Sequence, residues 1–181
     1  MRWIDDVAGR LKRKNQVLFA KDSEFLQDLI LLMNQQTHRA MVLWAFEFAE
    51  ETAQMLRARY PDESRPQEAI ETCKAWAAGK VKMPIAQRAI LNAHAFAKEI
   101  ESPEDIALCH AVGQACGVVH TAGHAIGYPV YDLTALVRHY GAQACVGPIE
   151  ARKALYIERL LYWQEHYASW PVEWADFMLV D

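Results

Sequence analysis

The sequence predicts an all-α protein, a single-domain bundle of about seven or eight helices spanning residues 1–181. Three observations predict it. Apolar residues recur at three- and four-residue spacing, and no alternating strand pattern of useful length interrupts them. Helix starts and stops are well marked, as at Ser102–Pro103–Glu104–Asp105, Pro84 and Gly79. Residues 106–131 hold no Asp, Glu, Lys or Arg across 26 positions, so apolar groups fill every side of that stretch. A helix of that kind belongs in the middle of a bundle.

Residues 1–21 are a weakly patterned lead-in with room for one short helix. From Asp22–Ser23 a helix runs to about 36, with Phe25, Leu26, Leu29, Ile30 and Met33 on one face. The next spans about 37–60; its first half is apolar all round, and its second half turns Glu50, Glu51, Gln54 and Arg57 to water. Residues 61–66 are a loop. A helix from about 66 to Gly79 points Ile70, Cys73, Trp76 and Ala77 inward. Pro84 opens another, to about 100, with Ile90, Ala93, His94 and Ala97 inside. The charge-free stretch follows, with a break expected near Tyr128 because Pro129 lacks an N–H. Helices over about 131–140 and 148–167 complete the set, the last with Ala154, Ile157 and Leu161 inward. The aromatic, acidic tail from Trp170 to Asp181 packs back on the bundle. Matches between residues 43–51 and 91–99 at an offset of 48 leave a helical-hairpin repeat character open.

Apolar content of 52% excludes disorder, and 181 residues suffice for a sizeable core. A net charge of −4 argues against a nucleic-acid binder. The basic run Arg10, Lys12, Arg13 and Lys14 reads as a solvated face. Three histidines, Gln114 and Pro129 argue against reading the charge-free stretch as a membrane span. Asp5 and Asp6 sit where a signal peptide needs an apolar core, so the expected location is the cytoplasm. Cysteines 73, 109, 116 and 145 are then reduced thiols.

The sharpest constellation is Cys116, His120 and His124. Their four-residue spacing stacks them on one face if the helix continues that far, although Gly123 and Gly127 leave that continuation open. Two histidines one turn apart can grip a metal, with Cys116, His94 or Glu47 completing the set. The glutamate beside the first histidine that a zinc hydrolase uses is replaced by Thr121. The same histidines also suit cross-helix hydrogen bonding or a ligand pocket. Cys109 and His110 are neighbours that point apart, so they form no catalytic dyad. No glycine-flanked serine elbow and no phosphate-binding glycine loop is present. Of six tryptophans, Trp44 and Trp76 read as core. Trp163, Trp170 and Trp174 either build an aromatic interface or seal the bundle end.

The runs R-P-Q-E-A-I-E-T-C-K-A-W-A-A-G-K (65–80), V-K-M-P-I-A-Q-R-A-I-L-N-A-H-A-F-A-K-E (81–99) and A-V-G-Q-A-C-G-V-V-H-T-A-G-H-A-I-G (111–127) resemble the all-helical putative immunity protein family found beside bacterial polymorphic toxins. R-A-M-V-L-W-A-F-E-F-A-E (39–50) fits the same pattern, so the resemblance covers about 39–140. It implies an all-α cytoplasmic protein that neutralises a cognate protein toxin by binding it, and it offers no catalytic residue to carry over; no cofactor is expected, with a metal left open. A basic nuclease would suit the mild acidity. A pocket or interface is expected among Glu47, Trp76, His94, His120, His124, Trp163, Trp170 and Trp174. The alternatives are a metal-dependent enzyme, or a small-ligand-binding helical protein, built on His94, His120 and His124. The residue-level reading leans away from an enzyme and leaves the oligomeric state open.

Overall fold

A computed structural model describes residues 2–180; Met1 and Asp181, the last residue of the tail, lie outside them. The charge-free stretch is split between two helices at the centre of the molecule. Among the described residues there are eight α-helices and no strand: α1 (Arg2–Lys12), α2 (Gln27–Met33), α3 (His38–Arg59), α4 (Arg65–Ala77), α5 (Met83–Phe96), α6 (Pro103–Gly117), α7 (Gly127–Tyr140) and α8 (Val146–His166). None is long and apolar enough to cross a membrane.

Helix α6 packs against α3, α4, α5 and α7. The Ser102 hydroxyl caps it, accepting from the Asp105 N–H at 3.2 Å, and Pro103 occupies the first turn. Nine of its residues, from Asp105 to Cys116, are buried, as an all-round apolar helix requires. Helix α3 is its partner in the core. Thr37 caps α3 through the Ala40 N–H at 3.2 Å, and every residue from Ala40 to Phe46 is buried. The α4–α5 pair flanks this core on one side, and α8, packed on α3, α7 and α2, flanks it on the other. Trp44, Phe48, Tyr128 and Tyr156 interlock edge-on or tilted between α3, α7 and α8. The lead-in is tied down: the Leu18 N–H donates to Thr134 Oγ1 at 3.0 Å, and Arg138 donates to the carbonyls of Asn15 and Gln16.

Two expectations are corrected. Pro129 does not kink a helix. The chain breaks earlier, after Gly117, and Pro129 is the third residue of α7, where a missing N–H costs no helical bond. The inner face of α8 is Ile149, Tyr156 and Leu160, with Ile157 half-buried against the core as expected; Ala154 and Leu161, expected inward, are exposed. Arg152 and Lys153 share the inward side, bonding buried or half-buried partners.

Candidate functional site

The three residues Cys116, His120 and His124 do not share a face. Helix α6 ends at Gly117, whose carbonyl accepts from the His120 N–H at 3.0 Å, and the chain turns. Cys116 stays fully buried as a free thiol, and its hydrogen bond to the Cys73 thiol on α4, then burial, raise its pKa. His120 is exposed and stacks on Trp76, ring centroids 6.3 Å apart. His124 packs over Gly117, and burial lowers its pKa. Glu47 is held elsewhere, accepting from Arg159 Nε at 2.7 Å and Trp163 Nε1 at 2.5 Å. Among the described residues, no three His, Cys, Asp or Glu side chains converge as a metal site needs.

His94 turns to His110, not to the other two. Their Nδ1 atoms lie 2.8 Å apart, so one imidazole donates and the other accepts. Gln16 reaches His110 Nε2 at 3.4 Å, and the Tyr131 ring lies beside it. Gly113 makes the space: a methyl there would overlap the His94 ring. The pairing has a sequence signal that helix periodicity alone passes over. His94 and His110 are equally spaced about Ser102, the cap at the α5–α6 turn, as facing residues of an antiparallel hairpin should be.

Burial, then the His110 charge, pushes His94 down to about 4. Burial, then Lys98, lowers His110. The unfolded chain therefore binds more protons in acid than the folded one. Stability is complete above the ordinary histidine value of 6.5 and is lost as pH falls from there toward 4. Because His94 is partly open to solvent, the expected loss is on the order of 1 kcal/mol. Urea titrations between pH 7 and 4 check this, and His94→Asn should flatten the profile over that window.

The tryptophans mostly seal the bundle. Trp76 is buried under His120 and Phe177. The Trp170 and Trp174 rings meet at 4.0 Å, tilted by 45°, and both are half-buried. The Ala175 N–H donates to the Ala77 carbonyl at 2.8 Å, pinning the tail to the end of α4. Gly79, at φ +70°, takes the left-handed turn that ends this segment beside Ala175, a conformation that favours glycine. Phe177 remains exposed at this end, and Tyr162 is exposed on α8.

A second feature was not anticipated. A cleft of about 390 Å³ opens between α3, α6, α7 and α8. Met55, Leu108, Leu136 and Leu155 contribute apolar lining, and Arg59 and Arg152 carry its charge with their carboxylate partners. Arg152 donates from Nε to Asp132 at 2.7 Å and from Nη1 to both oxygens of Glu51 at 3.0 Å. Its Nη2 reaches Tyr128 Oη at 3.1 Å; Tyr128 meets the Thr52 hydroxyl at 2.7 Å, and Tyr156 bonds Asp132. Burial alone would lower the Arg152 pKa; Asp132 and the two tyrosines more than reverse this, so the guanidinium stays charged. At the other end Arg59 pairs with Glu104 and Asp105, and the Tyr60 hydroxyl, bonded to Asp105, is pushed up to about 12. The sequence signal is two i,i+4 pairs, Tyr128/Asp132 and Arg152/Tyr156, on helices that pack together.

A family model, described as the Imm-5 like putative immunity protein, matches residues 31–159. The chain belongs to the Imm-5 like putative immunity protein family. The match is wider than the 39–140 of the resemblance, running from α2 through most of α8. In this Imm-5 like protein the histidine pair and the charged cleft fall inside the matched region, whereas α1, Trp163, Trp170 and Trp174 fall outside it. No curated protein and no solved structure matches the chain.

Proposed function

We propose that this Imm-5 like protein binds a cognate bacterial toxin domain in the cytoplasm and neutralises it by covering its active surface. The family match over residues 31–159 carries the reading. The chemistry of the side chains supports binding over catalysis. Burial raises Cys109 to about 12 and raises Cys145, while contact with Cys73 and burial raise Cys116, so these thiols stay protonated near neutral pH. The closest histidine pair is held neutral and spends its facing nitrogens on each other. The test is co-expression with the toxin encoded beside this chain. Protected growth and a co-purifying complex are expected; undiminished killing with no complex would remove the proposal for that pair.

A further inference from the structure

The cleft between α3, α6, α7 and α8 repeats one pattern on three of its helices. A carboxylate is followed one turn on by an apolar side chain: Glu51 and Met55 on α3, Glu104 and Leu108 on α6, Asp132 and Leu136 on α7. Leu155 of α8 adds to the apolar part. The charges do not cancel. Four carboxylates, Glu51, Asp132, Glu104 and Asp105, share two guanidiniums, Arg152 and Arg59, which leaves an excess of two negative charges. His139, whose Nδ1 lies 3.1 Å from Glu104, offsets only one of them when protonated. One acceptor is also unspent. The Asp132 side chain is 6% exposed and gives Oδ2 to both Arg152 and Tyr156, while its Oδ1 accepts no hydrogen bond among the described residues.

Resting on the toxin-binding reading, we infer that this cleft receives a lysine or arginine side chain of the toxin, with the cationic head among the carboxylates and the aliphatic stem along Met55, Leu108, Leu136 and Leu155. The volume of about 390 Å³ falls within the roughly 300–1,000 Å³ of ligand-sized clefts. Other occupants meet a mismatch. An anion such as a phosphate would add to the negative excess, and each of the three Arg152 nitrogens is already bonded. A wholly apolar group would strip water from Asp132 and Glu104 and return no hydrogen bond. A bare metal ion needs converging ligands, and among the described residues no three His, Cys, Asp or Glu side chains converge. A basic side chain matches both halves. Its head donates to Asp132 Oδ1 and Glu51, and its methylenes cover the leucines, as long cationic side chains do elsewhere. The recess concentrates the field of the excess carboxylates and draws a basic surface toward it.

Two arms test it on the full chain. The first follows the methyl NMR signals of Leu108, Leu136 and Leu155 as n-propylguanidinium and n-butylammonium, the arginine and lysine side chains alone, are added at millimolar concentration. Saturable shifts are expected, lost in Glu51→Gln/Glu104→Gln and not reproduced by n-butanol. No saturable shift, or equal shifts with n-butanol, would overturn the inference and leave the toxin-binding reading untouched. The second arm titrates a candidate cognate toxin domain. Glu51→Gln/Glu104→Gln and Met55→Trp, which fills the mouth at a position 39% exposed, should each weaken binding by about ten- to a hundred-fold. Asp62→Asn/Glu71→Gln removes the same charge from exposed positions outside the cleft and should bind like the parent. Melting curves confirm folding, and the Glu51/Glu104 pair serves if Met55→Trp unfolds. Cleft variants that bind like the parent, or a control pair that loses as much, would overturn the inference alone, as would a dimer of this chain that Met55→Trp splits. A parental chain that binds no toxin would instead remove the toxin-binding reading and, with it, the toxin as occupant.

Discussion

Asp132→Ala is expected to destabilise the fold by about 3–5 kcal/mol, because it leaves a largely buried guanidinium without its counter-charge. Asp132 is buried in α7 and accepts from Arg152 Nε and the Tyr156 hydroxyl. Burial raises the Tyr156 and Tyr128 pKa values, and the Asp132 charge adds to this, so neither phenol supplies an anion to replace the carboxylate. Glu51 is Arg152's remaining carboxylate, and it is half open to water. A urea midpoint and a melting temperature both report the loss; the melting temperature should fall by roughly ten degrees or more. Asp132→Asn keeps the shape but not the charge, so it should recover only part of the loss. Parental stability in Asp132→Ala would mean that Arg152 finds water or Glu51 sufficient.

Gly113→Ala should cost about 2 kcal/mol net, although alanine is the better helix former by roughly 1 kcal/mol. The new methyl would overlap the His94 ring, which is held by His110 on one side and by the packing of α5 on the other. Either the ring leaves the pair or α5 and α6 move apart. If the ring leaves, the acid sensitivity assigned to His94 should fall with the stability. Gly127→Ala provides the contrast. Its methyl would meet the Gln114 side chain, a flexible group that can swing aside, so a smaller loss is expected. Equal costs at the two positions in urea titrations would contradict this account of the His94 cradle.

The helices were legible because their signals are local. Thr37 and Ser102 cap where their residue types suggest, Trp44 and Trp76 are buried, and the charge-free stretch lies at the centre. What periodicity missed lies between helices. The inward lean of Arg152 and Lys153 answers to Asp132, Tyr128 and Phe25, which are distant in sequence, so periodicity could not show it. The histidine stack failed for a different reason. It assumed a helix running on past Gly117, whereas that glycine ends α6 and His124 packs over it. His94 was correctly placed inward, but its partner His110 comes from the far arm of a hairpin. The tryptophan-rich tail looked equally suited to an interface and to a seal. The Ala175–Ala77 hydrogen bond and the Phe177 ring on Trp76 show that it lies against the bundle end.

Growth of cells carrying a candidate cognate toxin gene under a titratable promoter, with and without this chain, tests the central claim most directly. The account predicts that this chain restores growth in proportion to its expression and is recovered bound to the toxin. Killing that is indifferent to the chain at every expression level, with no complex recovered, would contradict it.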